Sequence, residues 1–265
     1  MIKFWSYNRE LKKYKNKIHS KINKSLNSGQ IFFGNELSDF ENKFIKKNRS
    51  KYGIAVGSGT DALFIALKSL GIKKGDEVIT AANTAIPTIS AIRSTGASPK
   101  LVDIGNDYLI DPLKIEKEIT RKTKVIIPVH LYGQTCEMDK IIKISKKYKL
   151  KIVEDCAQAH GAVLRDRQAG SFGEVSTFSF YPTKNLGGYG DGGAVLTDDY
   201  SVSERLRKLR QYGWEAKYHT DLPFGKNSRL DEIQAAILRI KLPSLNTWNA
   251  ERRRIYTLYR EAASG

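Results

Sequence analysis

Short runs of apolar and β-branched residues alternate with longer amphipathic segments along most of the chain. Seven of these short runs predict strands: KYGIAV, DEVIT, PKLVD, TKVIIPVH, LKIVED, STFSF and GAVLT. Helical spacing of apolar residues lies between most of them. This alternation predicts an α/β protein with a mostly parallel sheet covered by helices.

The segment TDALFIALKSLGIKKGD illustrates the helical spacing. Its apolar residues on one face are Ala62, Leu63, Ala66, Leu67 and Leu70. Gly71 follows at a position where glycine commonly ends a helix. The last two strands, STFSF and GAVLT, are joined by a Gly-rich loop too short for a crossover helix, so we expect this pair to be antiparallel.

Both ends of the chain are predicted to be helical. Residues 1 to about 50 predict two polar helices separated by NSGQIFFGNE, which form an arm or a packing flange. After the last strand, helices are predicted in SVSERLRKLRQYG, SRLDEIQAAILRIKL and PSLNTWNAERRRIYTLYREAA, with Pro243 at the break between the last two.

Composition narrows the class of protein. A chain of 265 residues can bury a sizeable core, and none of its segments approaches the roughly 18 consecutive apolar residues that a membrane span needs. The N-terminus lacks the pattern of a secretory signal, so we expect a cytoplasmic protein. Cys136 and Cys156 are not in a CxxC spacing or a His/Cys cluster, which predicts neither a disulfide framework nor a metal site.

The net charge of +17 permits a nucleic-acid-binding interpretation, because basic surfaces bind phosphate backbones. However, the lysines are spread over solvent-facing helical positions without interleaved stacking aromatics. A solvated lysine-rich surface that attracts small anionic substrates is the better interpretation, and no nucleic-acid partner is expected.

Candidate functional residues are the polar residues that directly follow strands, because ligands bind at the carboxyl ends of the strands of a parallel sheet. The first such segment is VGSGTDAL, with Gly57, Ser58, Gly59 and Thr60 between a strand and a helix. Backbone N–H groups and the helix N-terminus could bind a phosphate there. A tight turn with Thr60 or Asp61 as the helix cap is an equally good interpretation of this segment alone.

The second segment, IVEDCAQAHG, ends an apolar strand with Glu154 and Asp155. A carboxylate pointing into a pocket could hold a proton on a pyridine nitrogen, and Asp155 is the candidate. Gln158 could bond a ring hydroxyl, whereas His160 is expected to be a structural histidine. Taken alone, Asp155 could equally cap the strand end.

The third segment, STFSFYPTKNLGGYGDGGAVLT, holds a single lysine, Lys184, between an apolar strand and a Gly-rich loop. A desolvated lysine amine becomes nucleophilic and can react with an aldehyde. Ser179 on the strand could donate its hydroxyl to a phosphate. Without the other segments, a Gly-rich hairpin with a solvated lysine would be the preferred interpretation.

In the fourth segment, GKNSRLDEIQAAIL, Asn227 and Arg229 are predicted at the start of an amphipathic helix. Asn227 has the character of a helix cap. Its position also suits binding of a phosphate, including one in a neighbouring subunit's site.

Together these segments resemble the DegT/DnrJ/EryC1/StrS family of sugar aminotransferases, a branch of the fold-type-I pyridoxal-phosphate enzymes. The resemblance covers nearly the whole chain and implies a three-layer α/β/α large domain with a seven-stranded, mostly parallel sheet. It also implies that Lys184 forms a Schiff base with pyridoxal 5′-phosphate and shuttles protons. By the same resemblance, Asp155 pairs with the ring nitrogen and Gln158 with the ring hydroxyl.

The resemblance assigns the cofactor phosphate to Gly59, Thr60 and Ser179. Asn227 would reach the phosphate of the partner subunit, which implies a homodimer with shared active sites. The implied reaction takes an amino group from an amino acid, usually glutamate, and delivers it to a nucleotide-linked keto sugar. Relatives with histidine at the lysine position carry out dehydration instead, and Lys184 argues against that branch.

The chain departs from the family pattern at two places. Relatives commonly have an aromatic residue against the cofactor ring where this sequence has Ala85. Relatives also continue past residue 265, so we expect an arm at 1–50, a cofactor-binding large domain at 51–240 and only the start of a C-terminal small domain at 241–265. The alternative function is that of a non-catalytic remnant or regulatory module that binds the cofactor without turnover.

Overall fold

The computed structural model of the protein describes residues 6–263. Its strands are β1 (Tyr52–Val56), β2 (Glu77–Ala81), β3 (Ser98–Val102), β4 (Thr123–Ile127), β5 (Lys151–Asp155), β6 (Val163–Leu164), β7 (Arg167–Gln168), β8 (Val175–Ser179), β9 (Gly193–Thr197), β10 (Trp214–Ala216) and β11 (His219–Thr220). Its α-helices are α1 (Tyr7–Asn27), α2 (Asn35–Asn48), α3 (Gly59–Ser69), α4 (Ile86–Ser94), α5 (Pro112–Ile115), α6 (Met138–Tyr148), α7 (Tyr200–Leu209), α8 (Glu232–Lys241) and α9 (Leu245–Ala263).

The seven predicted strands form one sheet in the order β1-β9-β8-β5-β4-β2-β3. Only β9 among them runs antiparallel, and it pairs with both β1 and β8, so the predicted antiparallel pair is confirmed. The hairpins β6–β7 and β10–β11 were not predicted, because their strands of two or three residues are too short to show an alternation of apolar and polar residues.

Helices cover both faces of the sheet. Successive residues of a strand point to opposite faces, and in β1 Ile54 and Val56 join the core cluster that contains α3, whereas Ala55 joins the cluster with α2 and α8. The expected three-layer α/β/α architecture with a mostly parallel seven-stranded sheet is therefore confirmed.

Helix α3 ends as its sequence predicts. Gly71 takes the left-handed conformation with φ +83°, and its N–H donates to the carbonyl of Lys68. The neighbouring Ile72 N–H donates to the Leu67 carbonyl, which completes the hydrogen bonding of the last turn. The helix is buried nearly all round from Ala62 to Leu67, because it lies against the sheet and also against α4 and α7.

The two N-terminal helices pack on α8. Gly34 is the N-cap residue of α2 and has no capping side chain, so the buried carboxylate of Glu232 in α8 takes that role. It accepts hydrogen bonds from the N–H groups of Gly34, Glu36 and Leu37 at 2.9–3.0 Å. A carboxylate at a helix N-terminus accepts hydrogen bonds from the backbone N–H groups that have no partner within the helix. Its negative charge also interacts favourably with the positive end of the helix dipole. The arm is thus joined to the body of the protein.

The last helices follow the predicted break. Pro243 lies in a short 3₁₀ turn, Leu242–Ser244, between α8 and α9. Asn249 in α9 accepts a hydrogen bond from the Asn185 amide at 2.8 Å and donates one to the His160 carbonyl at 2.7 Å. Helix α9 is therefore attached to the segment that carries Lys184. The domain boundaries at residues 50 and 240 stay predictions, and residues 1–5 and 264–265 lie outside the described part of the chain.

Between residues 6 and 263, no helix is both long enough and apolar enough to cross a bilayer.

Candidate active site

A cleft of about 300 Å³ opens at the carboxyl edge of the parallel strands. Its lining comes from the ends of β5 and β8, from the segments after β1, β2, β4, β5 and β8, and from the two residues before β9. These residues are Ser58, Gly59, Thr60, Leu63, Ala85, Pro87, Thr88, Val129, Leu131, Asp155, Ala157, Gln158, Ser179, Tyr181, Lys184, Asp191 and Gly192. Of the seven site residues predicted from sequence, six line this one cleft, and Asn227 does not.

The N-terminus of α3 forms an anion-binding corner of the cleft. Ser58 is the N-cap and accepts the Asp61 N–H at 3.1 Å, so neither Thr60 nor Asp61 is the cap. The N–H groups of Gly59 and Thr60 belong to the first helical turn, where backbone donors have no partner within the helix. A Cβ atom on Gly59 would lie 2.6 Å from the Ser179 Cβ, so only glycine lets the helix start approach β8 this closely.

Asp155 is a buried carboxylate at the end of β5 that faces the cleft. Its Oδ1 accepts the Ala157 N–H at 3.1 Å, and its Oδ2 accepts the hydroxyl of Thr88 at 2.9 Å. Burial raises the pKa of Asp155, while these two hydrogen bonds and the positive charge of Lys184 act in the opposite direction. A cationic partner inside the cleft would stabilise the ionised form of such a carboxylate.

Glu154 points away from the cleft, because neighbouring strand residues face opposite sides. Its oxygens accept the N–H groups of Gly170, Phe172 and Gly173 at 2.6–2.8 Å and bond His130 Nε2 at 3.0 Å. His130 Nδ1 accepts the Cys136 N–H, so the proton shared with Glu154 lies on Nε2. Glu154, His130 and Cys156 are close enough to hold a metal, but these hydrogen bonds already use the carboxylate oxygens and the free nitrogen lone pair.

Lys184 follows β8 in a turn closed by a hydrogen bond from its own N–H to the Tyr181 carbonyl at 2.8 Å. Its side chain is half-buried and, within residues 6–263, forms no direct ion pair. Burial lowers the pKa of the Lys184 amine, and the charge of Asp155 partly opposes that shift. An amine with a lowered pKa and without a bonded partner is suited to act as a nucleophile.

Gln158 lines the cleft with its amide already oriented. Its Oε1 accepts the Tyr132 N–H at 3.0 Å, which leaves the amide NH₂ as a donor toward the cleft. Tyr132 itself takes a left-handed conformation with φ 59°. The loop after β4 therefore fixes which end of the Gln158 amide is available to a ligand.

His160 lies behind Lys184 between aromatic rings. Its ring centroid is 5.5 Å from that of Phe178 and 6.0 Å from that of Phe180. Burial, together with the charge of Lys184, lowers the pKa of His160 to about 3, so the ring stays neutral. These properties agree with a structural histidine rather than a proton carrier.

The prediction that Asn227 caps a helix is wrong. Helix α8 begins at Glu232 and is capped by Asp231, whose side chain accepts the Gln234 N–H at 2.7 Å. Asn227 is exposed in an extended segment that bridges to Gln211, outside the cleft of its own chain. Arg229 lies close to this segment's end, over the ring of Phe32. The phosphate role of Asn227 in a partner's site stays a prediction.

Several residues of the cleft were not predicted from the sequence. Thr88 and Pro87 come from the first turn of α4, next to Ala85 at its N-cap. Tyr181 is the aromatic side chain among the lining residues described, and it is 52% exposed. Thr88 gave no signal because a threonine after a strand is common and its partner, Asp155, lies 67 residues further along the chain.

The sheet order and the lysine-bearing cleft at its carboxyl edge define the class of this protein as α/β. A solved aminotransferase from Brucella abortus has the same fold, with a TM-score of 0.95 and 34% identity over 100% of this chain and 73% of that one. Residues 12–264 match the DegT/DnrJ/EryC1/StrS aminotransferase family, and the chain belongs to that family.

Three relatives illustrate this membership. The chain is 50% identical over 262 residues to a dTDP-3-amino-3,6-dideoxy-alpha-D-galactopyranose transaminase of Aneurinibacillus thermoaerophilus, covering 98% of this chain and 72% of that protein. DesV of S. venezuelae, solved in complex with a ketimine intermediate, matches with a TM-score of 0.96 and 43% identity over 100% of this chain and 71% of DesV. NtdA of Bacillus subtilis, solved with bound cofactor PMP, matches with a TM-score of 0.82 and 36% identity over 86% of this chain and 52% of NtdA.

Proposed function

We propose that this protein uses pyridoxal 5′-phosphate to transfer an amino group from L-glutamate to a nucleotide-linked keto sugar. The observation that carries the proposal is the cleft in which Lys184, the buried Asp155 and the N-terminus of α3 lie together. An amine, an acid and an anion-binding corner in one cleft of about 300 Å³ match the three functional ends of this cofactor.

The residues of the cleft fit the proposed cofactor. The N–H groups of Gly59 and Thr60 and the hydroxyl of Ser179 would hold its phosphate, since the close approach of Gly59 to Ser179 brings these donors to one corner. Asp155 would bind the protonated ring nitrogen, and the amide NH₂ of Gln158 would donate to the ring oxygen.

When bound, pyridoxal phosphate supplies an aldehyde that accepts amino groups and a protonated ring that withdraws electrons. Lys184 Nζ would bond covalently to the aldehyde in the resting enzyme and, once displaced by an incoming amine, would carry a proton between the reacting carbon atoms. Asp155 would keep the ring nitrogen protonated throughout. The apolar side chains of Leu63, Val129 and Leu131 would limit the access of water to these groups.

The acceptor is proposed from the relatives. The Aneurinibacillus thermoaerophilus relative is named for a dTDP-linked sugar with an amine at carbon 3, so a dTDP-linked 3-keto-6-deoxy sugar is the first acceptor to test. The positive charge of the chain would favour the encounter with both the dicarboxylate donor and the diphosphate of the acceptor.

The function is proposed to need a homodimer. Asn227 lies outside the cleft of its own chain and has an exposed side chain, in a segment that follows the β10–β11 hairpin. In a dimer it would reach the cofactor phosphate in the partner's cleft. The exposed Tyr218 packs on the half-buried Trp214 in the same region, with ring centroids 5.6 Å apart, and would contact a second copy.

The first experiment separates amino transfer from mere binding. Purified protein is loaded with pyridoxal phosphate and then given L-glutamate alone. We expect loss of the visible absorbance of the bound cofactor together with formation of 2-oxoglutarate, followed by transfer of the amine when the dTDP-linked keto sugar is added. Mass spectrometry after borohydride reduction should find the phosphopyridoxyl group on Lys184.

Cofactor binding without 2-oxoglutarate formation would favour the binding-only alternative. A protein that retains no cofactor at all would overturn the proposed function. D-glutamate is the matched control for the donor, because it has the same charge and should leave the spectrum unchanged.

A mixing experiment tests the shared site. Lys184→Ala and Asn227→Ala subunits are each expected to be weak alone, whereas a mixture regains activity, because one of the two sites in a mixed dimer then has both intact residues. Light scattering should give twice the chain mass. A monomer, or a mixture no better than its components, would contradict the assignment of Asn227.

A further inference from the structure

We infer that Thr88 is a positioning residue, whose hydroxyl holds the Asp155 carboxylate oriented and ionised for the ring nitrogen of the cofactor. This inference rests on the proposed function of the cleft. Thr88 is 1% exposed, and its Oγ1 donates to Asp155 Oδ2 at 2.9 Å. Within residues 6–263 it is the side chain that donates a hydrogen bond to that carboxylate.

The contact joins elements that are distant in the sheet. Asp155 ends β5, whereas Thr88 belongs to the first turn of α4 after β2, and β4 lies between those two strands. Pro87 precedes Thr88 inside α4, and the Thr88 N–H donates to the Ala85 carbonyl at 3.1 Å. The first turn of α4 therefore places the Thr88 hydroxyl next to Asp155, although β4 lies between the strands that precede them.

A second hydroxyl fixes the direction of the hydrogen bond. Thr84 Oγ1 donates to Thr88 Oγ1 at 2.8 Å, so the proton of Thr88 is directed to Asp155. Hydrogen bonds in such a chain polarise one another and strengthen the last one. Thr84 is only half-buried and lies one step further from the acid, so its own contribution should be smaller.

Asp155 needs this support because of its surroundings. Burial favours its protonated form, whereas a cationic ring nitrogen binds its ionised form. The groups that face the carboxylate are the Ala157 N–H on its own segment, Lys184 after β8 and His130 after β4. Once Lys184 is bonded to the cofactor its charge is no longer that of a free ammonium, and the Thr88 hydroxyl then carries a larger share of the stabilisation.

A purely structural role for Thr88 makes a different prediction. If its hydroxyl only held α4 in place, its removal would weaken binding of any ligand of this shape. If it acts through Asp155, its removal would weaken only ligands that have a basic ring nitrogen. A cofactor analogue in which carbon replaces that nitrogen therefore separates the two roles.

The experiment measures dissociation constants of the full chain for pyridoxal phosphate and for its 1-deaza analogue. Thr88→Val has nearly the same shape as threonine without the hydroxyl, and we expect about tenfold weaker binding of pyridoxal phosphate, as for a lost hydrogen bond to a charged group. Binding of the deaza analogue should change less than about twofold, which is within the error of such comparisons.

Two further variants keep the test decisive if Thr88→Val folds poorly. Thr88→Ser keeps the hydroxyl and should bind pyridoxal phosphate like the wild type. Thr84→Val removes only the outer link and should weaken binding about threefold, as for a weak neutral hydrogen bond. Circular dichroism melting of each apoprotein reports folding independently of the cofactor.

Equal losses for the two ligands, or a Thr88→Ser variant as weak as Thr88→Val, would overturn the inference and leave the proposed function intact. A wild-type protein that binds neither ligand would overturn both. A selective loss for pyridoxal phosphate that Thr88→Ser reverses supports the inference.

Discussion

Lys241 is buried and Lys184 is half-buried, and the two lysines differ in the groups that surround their charge. Lys241, at the end of α8, is 1% exposed, and its Nζ contacts the Gly187 carbonyl and the carboxylate of Glu10. It also lies 4.9 Å from the ring centroid of Tyr189. Lys184 is less deeply buried and has no ion pair among the residues described.

Burial lowers the pKa of both amines, yet only one is placed to react. The partners of Lys241 use its protons and oppose its loss of charge, and its surroundings leave no room for a carbonyl compound. Lys184 faces a cleft, and among residues 6–263 the charge that stabilises its cationic form is the more distant one of Asp155. Both amines lose contact with water, so burial alone does not make a lysine reactive. Reactivity also needs a charge without a bonded partner and an open volume beside the amine.

The same substitution at the two positions should separate chemistry from stability. Lys184→Met is expected to reduce amino transfer at least about 10³-fold, because it removes both the covalent attachment and the proton carrier. Turnover and borohydride labelling are the measurements. The apoprotein should melt no lower than the wild type, since the variant removes a charge that burial disfavours. Normal turnover would remove Lys184 from its proposed role.

Lys241→Met should show the reverse pattern. It leaves Glu10 without its partner and the Gly187 carbonyl without its donor, so we expect a loss of about 3 kcal/mol in the free energy of unfolding. Urea denaturation measures this loss, and borohydride labelling of Lys184 should persist at temperatures where the variant is folded.

The double variant Lys241→Met with Glu10→Gln is the matched control, because it removes both charges of the pair. It should recover part of the stability that the single variant loses. A single variant as stable as the wild type would show that the pair contributes nothing to folding, and the contrast between the two lysines would then fail.

The extent to which the sequence predicted this site depends on how local each signal is. Lys184, Asp155 and the Gly59–Thr60 turn each follow a strand directly, so knowing the sheet was sufficient to bring them to one edge. The Thr88–Asp155 contact joins residues 67 positions apart, and the contact of Lys241 with Gly187 joins residues 54 positions apart. No local sequence pattern indicates such pairs. Asn227 was predicted at the start of a helix, but α8 begins later, at Glu232, where Asp231 is the cap.

Glu154 and Asp155 are adjacent acids whose different roles are hard to predict from the sequence. Both are acids at the end of one strand, and the choice of Asp155 rested on its position at that strand end and on the family resemblance. The structure separates them by their hydrogen bonds: Glu154 accepts from three backbone N–H groups of the 170–173 loop, whereas Asp155 faces the cleft. One acid stabilises the fold and the other is available to a ligand.

Glu154→Gln should therefore destabilise the protein by about 2 kcal/mol. The new NH₂ group would face a backbone donor or the His130 N–H, and one buried donor would be left without an acceptor. The urea midpoint of the apoprotein measures this effect. An unchanged midpoint would mean that the 170–173 loop does not depend on the carboxylate.

Asp155→Asn should have the smallest effect on stability and the opposite sign. Burial raises the pKa of Asp155 in the folded state above its value of about 3.9 in the unfolded chain. The folded protein then binds the proton more tightly than the unfolded one, so this group stabilises the fold below about pH 4, and that contribution is lost as the pH rises through the folded pKa. Asparagine does not titrate, so the apoprotein of the variant should become more stable relative to the wild type as the pH rises from about 4 to neutrality. Melting curves of both apoproteins across that range measure the difference, and a variant that loses stability relative to the wild type as the pH rises would show that the hydrogen bonds of Asp155 outweigh its burial.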